Sequence, residues 1–371
     1  MLVKNAKAFL NGAFHSGTDL LIQDGRLAAI GDGLAAPGEE VLDLGGDLLL
    51  PGFVDVHIHA FMGQDTMNGE EAVRHMSREL KKVGVAAFLP TTMSASPEDT
   101  QAALAGIQAV MNRPEPDGAT VLGAHMEAPF LDEAKAGAQL KQYFVLPSEE
   151  NWRRYVGPYE GIVRMITMAP EKTGALDFIR RLTDAGITVS VGHTSATAEI
   201  THAAADHGAT HITHTFNAQT PLNHRAPGVP GAALTDDRLL CEIISDGIHL
   251  HPDIVRLVMR VKGACGLVAI TDAMEAAGMP DGQYQLGGQD VFVKDGAARL
   301  KDGTLAGSTL TMVRALQNLI RFGAAPEDAV RMTTRTPAQS IRNDEYGKID
   351  LGAPAILARF TPSFEFVGTV G

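Results

Sequence analysis

Over the first fifty residues, short apolar runs alternate with polar ones at residues 3–10, 19–23, 26–31 and 40–44, with Asp24-Gly25 as a hairpin turn pair. This pattern predicts β-strands joined by tight turns. From Leu48 onward the pattern changes. Nearly continuous apolar runs fall at 53–58, 86–91, 120–126, 163–168, 188–191, 210–213, 241–245 and 267–271. Amphipathic stretches such as 69–83, 97–112, 174–185, 196–207 and 252–262 separate them. Unbroken apolar runs suit parallel strands buried on both faces. Eight such units predict an α/β chain built as a (β/α)8 barrel. Residues 284–305, rich in Gly and Asp, predict a β-hairpin inserted before helices at 308–322 and 326–334. The tail, 347–371, returns to strand-like alternation and is expected to rejoin the N-terminal strands. The expected organisation is a small β-sandwich domain from residues 1–50 plus 345–371 and a barrel domain over 51–344. No short internal repeat or low-complexity tract interrupts it.

At 371 residues and 45% hydrophobic content, the chain has ample material for a large core. Its formal net charge of -13 argues against nucleic acid or an anionic membrane as partner. An anionic small substrate would need a local cationic pocket. The two cysteines, Cys241 and Cys265, lie in or beside apolar runs and are expected to be buried, reduced thiols. A cytoplasmic location is the corresponding expectation. Residues 1–12 lack the pattern of a signal peptide, and no apolar run is long enough to span a bilayer.

Candidate chemistry gathers at the C-terminal ends of the apolar runs, where a strand holds a side chain more firmly than a loop does. His57 and His59 are two residues apart, so in a strand both imidazoles face the same way and can reach one metal ion. Glu127 ends the third run. A carboxylate there needs a positive partner, either a metal ion or a lysine or arginine. His193 and His214 end the fifth and sixth runs, and with Glu127 they form a His2Glu set that suits a catalytic zinc with an open position. His202, His207 and His211 lie on or beside the intervening helix and read as surface or packing residues. Asp272 ends the eighth run. It is placed either as a general base and acid beside the metal or as a helix N-cap. The second and fourth runs carry no such residue at their ends and are expected only to build the barrel.

These residues give the chain a resemblance to the amidohydrolase superfamily, and within it to the enzymes that deacetylate amino-sugar 6-phosphates. The resemblance runs from Pro51-Gly52-Phe53-Val54-Asp55-Val56-His57-Ile58-His59 to Gly347-Lys348-Ile349-Asp350-Leu351-Gly352. Its most specific part is Thr213-His214-Thr215-Phe216-Asn217-Ala218, continuing through Pro221 and Arg225 to Pro227-Gly228. Ser245-Asp246-Gly247-Ile248-His249, Ile270-Thr271-Asp272-Ala273-Met274 and Leu305-Ala306-Gly307-Ser308 extend it.

The resemblance implies a metal-dependent hydrolase that releases acetate from N-acetylglucosamine 6-phosphate or its galacto epimer. Glu127, His193 and His214 would bind the main divalent ion. His57 and His59 would add a second, with Glu127 bridging. Zinc is the first expectation for either ion, with iron, cobalt or manganese as alternatives. Asp272 would move the proton. Asn217 and Ala218 would contact the sugar phosphate, Leu305, Ala306, Gly307 and Ser308 would close over it, and Arg225 and His249 would grip the phosphate from the neighbouring subunit of a homodimer.

Two positions depart from the family pattern. Ala128 stands where glycine is common, and Gln139 stands where many members place a histidine against the acetyl carbonyl. A cyclic-amide hydrolase or nucleobase deaminase is a competing reading, but the fourth run, Arg164-Met165-Ile166-Thr167-Met168, has no bridging lysine. A barrel that has lost its chemistry would be expected to have lost ligand positions, and all six are filled here.

Overall fold

The computed structural model describes all 371 residues. The chain opens with two hairpins, Leu2–Leu10 with Ala13–Gln23, and Ala13–Gln23 with Arg26–Gly31. Asp24-Gly25 forms the second turn as expected. Asn11-Gly12 forms the first, with φ of 51° and 86°, which such a two-residue turn requires. The second strand therefore starts at Ala13, earlier than its apolar part at 19–23. Residues 13–17 are exposed apart from Phe14, which packs on Phe9, so one apolar position is too little to show alternation.

Both chain ends meet in one seven-stranded sheet. Its order runs Phe366–Val370, Leu357–Phe360, Leu48–Pro51, Leu2–Leu10, Ala13–Gln23 and Arg26–Gly31, with Val41–Asp43 also paired to Leu2–Leu10. Val3, Leu20, Leu27, Leu49 and Leu357 pack into its core.

Eight parallel strands form the barrel: Phe53–Ile58, Val85–Thr92, Ala124–Met126, Val163–Met168, Thr188–Val191, His211–Ile212, Leu240–Ile244 and Leu267–Ile270. They correspond one for one with the eight apolar runs. Between the eighth strand and the first, a side chain replaces much of the ladder. Asp55 accepts hydrogen bonds from the Thr271 hydroxyl at 2.5 Å and the Thr271 N–H at 3.3 Å. Beyond it the Asp272 N–H donates to the His57 carbonyl at 2.8 Å.

Helices Glu70–Lys82, Pro97–Asn112, Ala175–Asp184, Ala198–Asp206 and Pro252–Gly266 fill the amphipathic stretches. Ser96 and Thr197 cap two of them through the N–H groups of Asp99 and Ile200. Helices Glu149–Val156, Gly228–Thr235 and Arg335–Ser340 were not anticipated. The last expected pair is Met312–Arg321 and Pro326–Thr333. The first of these starts later than residue 308, because Ser308 is held in an extended bridge to Ala273 and Thr311 supplies the cap.

The insertion is a three-stranded meander, Gly282–Leu286, Gln289–Lys294 and Ala297–Leu300, and not a simple hairpin. Asp295-Gly296 adds the second turn. Cys241 is buried, but Cys265 is exposed, which corrects the expectation for that thiol. It lies in the last residues of Pro252–Gly266, past the break at Gly263, where φ is 62°. No helix is long and apolar enough to cross a membrane.

Candidate metal centre and active site

The candidate ligands stand at or just past the C-terminal ends of the barrel strands, His57 within the last residues of the first and the others beyond theirs, so the side chains converge over the mouth. Glu127 is the hub. Its Oε1 lies 3.0 Å from His214 Nε2, 3.2 Å from His193 Nε2 and 3.4 Å from His57 Nε2. Its Oε2 lies 3.0 Å from His59 Nε2. Two ligand groups share this carboxylate, His57–His59–Glu127 and Glu127–His193–His214. Asp272 Oδ1 stands beside the first, 3.2 Å from His59 Nε2 and 3.6 Å from His57 Nε2. No lysine or arginine pairs with Glu127, so the salt-bridge alternative falls. No helix follows Asp272, so it is not an N-cap.

The backbone pays for this convergence in strain. His193, His214 and Asp272 have φ of 46°, 27° and 49°, in the left-handed region that ordinary residues avoid. Neighbouring contacts hold them there. The Asp272 carbonyl accepts from Ser308 N–H at 2.7 Å, and the His193 carbonyl accepts from Asp132 N–H at 2.8 Å. Gly192 is required before His193, since a Cβ there would lie 2.5 Å from Thr213 Cβ and 2.8 Å from Thr167 Cγ2.

The electrostatics of the cluster call for a cation. Burial alone would push the Glu127 carboxyl up, but His57 and the contacts from His193 and His214 hold it well below the usual carboxylate range. Burial likewise opposes charge on His59, yet Asp272 and Glu127 hold its imidazole at about 9. The same two carboxylates raise His57 well above its ordinary value against the pull of burial. The site therefore balances buried carboxylates with positive charge on imidazoles, a task that a divalent ion performs directly. The imidazole and carboxylate donors fit such an ion. His57 Nε2 is buried with no hydrogen-bond partner and faces the cluster. His59 Nδ1 and His193 Nδ1 meet the carbonyls of Thr91 at 3.2 Å and Lys135 at 2.8 Å, leaving their Nε2 atoms for a ligand role.

A cavity of about 310 Å³ opens over the cluster. Of the expected substrate-contacting residues, Gln139, Asn217, Ala218, His249, Leu305 and Gly307 line it. Gln139 donates to Glu127 Oε2 at 2.8 Å and accepts from Ser94 N–H at 2.7 Å. Ala306 and Ser308 do not reach the cavity. They are buried beneath it, where Ser308 Oγ donates to the Thr271 carbonyl at 2.5 Å. His249 lines the cavity of its own chain, whereas the expectation had it arriving from a neighbouring subunit. It stands in the loop after the seventh strand, and Asp246 Oδ2 fixes its Nδ1 at 2.6 Å. Arg225 is absent from the wall and lies in the exposed segment 221–227.

The structure adds three residues that sequence reasoning missed. Lys135 lines the cavity, and its carbonyl meets His193 Nδ1. His125 is fully buried against His57, with ring centroids 4.6 Å apart, and burial and the His57 charge hold it well below its ordinary value. Glu242 is buried on the seventh strand and meets His57 Nδ1 at 3.1 Å. Its one signal was a charge inside Leu240-Cys241-Glu242-Ile243-Ile244. The three other histidines stay outside the cluster. His202 pairs with Asp236 at 3.1 Å, His207 caps its own helix, and buried His211 is held down at about 4.

Residues 48–370 match the amidohydrolase family model. The chain is 38% identical over 340 residues to N-acetylglucosamine-6-phosphate deacetylase from Lysinibacillus sphaericus, covering 91% of this chain and 87% of that one. It is 37% identical over 328 residues to N-acetylgalactosamine-6-phosphate deacetylase from Escherichia coli O157:H7, covering 85% of each. A variant of the N-acetyl-D-glucosamine-6-phosphate deacetylase from Mycobacterium smegmatis, crystallised with N-acetyl-D-glucosamine-6-phosphate, superposes with a TM-score of 0.92 at 32% identity. That match covers 100% of this chain and 97% of the other. With its eight-stranded parallel barrel and the Glu127-centred cluster at the barrel mouth, the chain belongs to the amidohydrolase family.

Proposed function

We propose that the protein is a metal-dependent deacetylase that hydrolyses the acetamide of N-acetylglucosamine 6-phosphate to glucosamine 6-phosphate and acetate. The observation that carries this reading is the shared Glu127 carboxylate, ringed by four imidazoles and set beside Asp272, on the floor of a cavity whose wall also holds His249 and Lys135. The relative at 38% identity carries this activity in its name. The Escherichia coli relative at 37% supports the galacto epimer as a second reading.

A divalent ion held by Glu127, His193 and His214, with a second on His57 and His59, would polarise the acetyl carbonyl and acidify the attacking water. Zinc is the first choice for either ion. Asp272 does the proton work. Its Oδ1 faces the cluster, accepts the proton of the attacking water, and delivers it to the amide nitrogen as the C–N bond breaks. Without that proton the amine is a poor leaving group. Asn217, Ala218 and His249 bind the sugar phosphate, and Leu305 and Gly307 cover it. Arg225 comes from the partner in a homodimer. We place the small domain at residues 1–50 plus 345–371, the barrel at 51–344, and the enzyme in the cytoplasm.

The test is acetate release by metal-replete protein from N-acetylglucosamine 6-phosphate, its galacto epimer and unphosphorylated N-acetylglucosamine. Turnover of a phosphorylated sugar, with the unphosphorylated one far slower, is expected, and the faster epimer selects between the two readings. Failure with all three sugars while metal is bound would overturn the assignment.

A further inference from the structure

Glu242 carries no role in the chemistry above, yet its surroundings are unusual. It sits in the middle of the seventh barrel strand and is fully buried. Burying a carboxylate costs several kcal/mol unless charge and hydrogen bonds offset it. No lysine or arginine pairs with it. Its Oε2 faces His57 Nδ1 at 3.1 Å and accepts from the His214 backbone N–H at 3.3 Å. Its Oε1 has no partner at all. Apart from that backbone N–H, the polar side-chain atom that meets it is His57 Nδ1, so positive charge on or beyond His57 is its main compensation.

The geometry fixes how His57 is used. A carboxylate on Nδ1 keeps the proton on that nitrogen. It thereby leaves the lone pair on Nε2, which is buried, unpartnered and 3.4 Å from Glu127 Oε1. The other orienting contacts are weaker, since His59 and His193 rest on neutral carbonyls and His214 Nδ1 has no partner. Glu242 also touches the His214 backbone, but His57 is the one ligand whose ring nitrogen facing away from the cluster meets a charged group.

We propose that Glu242 is the positioning residue of the His57–His59 half, orienting His57 for a divalent ion and setting the affinity of that half. The proposal rests on the reading of two ions sharing Glu127. The test is titration of chelator-stripped protein with Co²⁺, following stoichiometry by elemental analysis and the visible absorption of the bound ion. Wild type, Glu242→Gln, Glu242→Ala, His57→Asn and the two Glu242 changes combined with His57→Asn are compared, with folding checked by circular dichroism. Wild type is expected to bind two ions. Glu242→Gln should weaken one of them by about 10–100-fold and Glu242→Ala by more, while the other stays near its wild-type affinity. In the His57→Asn background the Glu242 changes should add nothing, because Glu242 acts through that ring. Should the alanine variant not fold, the isosteric glutamine decides. Two ions bound by Glu242→Gln at wild-type affinity would overturn the proposal alone. A single ion in wild type would overturn the two-ion reading and the proposal with it.

Discussion

Asp272 is the residue on which the chemistry turns, and its setting gives a direct test. Its side chain stands 3.2 Å from His59 Nε2, while its backbone is locked between the His57 carbonyl and the Ser308 N–H. Asn at this position keeps the size and suits the left-handed backbone at φ 49°. Asp272→Asn should therefore fold and retain metal, while kcat falls by about 10²–10⁴-fold through loss of the proton carrier. Acetate assays beside metal analysis check this, and near-normal kcat would remove Asp272 from the role. The residues that could be read from sequence share one property: His57, His59, Glu127, His193, His214 and Asp272 break an apolar run at its C-terminal end. Glu242 was overlooked because it interrupts a run in the middle, where inward and outward positions cannot be told apart without the barrel's geometry. Within Leu305–Ser308 a sequence motif does not separate the residues that line the cavity, Leu305 and Gly307, from those that are buried, Ala306 and Ser308, because successive residues of an extended segment face opposite ways.

At the scale of elements, the seam between the first and eighth strands is the least regular part of the barrel, and Asp55 replaces much of its ladder. It accepts from the Thr271 N–H, the Thr271 hydroxyl and the His57 N–H. Burial pushes its carboxyl up to about 6 against the pull of the Thr271 contacts, so these hydrogen bonds act in a dry environment. Asp55→Ala would leave three buried donors unpaired, at about 1–3 kcal/mol each. A loss of at least about 3 kcal/mol is expected on that basis, read as a lower urea midpoint. An unchanged midpoint would mean that the strands hold the seam without Asp55. The barrel strands were legible because strands buried on both faces must be continuously apolar. Gly228–Thr235 was not, since its run of small and apolar residues has no polar face to give a helical period. The first hairpin is not legible at 13–17 for the opposite reason: only Phe14 turns inward there, onto Phe9, and one buried position imposes no alternation.

For the whole molecule, the problem is how a chain of net charge -13 gathers an anion. The cavity supplies Lys135 and His249 from its own chain. Arg225 stands apart on the exposed segment 221–227, and its guanidinium makes no hydrogen bond or ion pair within the chain. A basic side chain left free beside the barrel mouth of an acidic protein is suited to a neighbour's phosphate. Two-fold symmetry would then give each cavity one arginine from its partner. Complementation tests this. Arg225→Ala should raise KM for the phosphorylated sugar, and Asp272→Asn should remove turnover. When the two variants are co-expressed, each mixed dimer would hold one cavity with both residues intact and one with neither. With random pairing, half the dimers are mixed, and about a quarter of wild-type activity should return at low substrate. If Arg225 serves its own chain, no mixed dimer contains an intact cavity, and activity would stay at the average of the two parents.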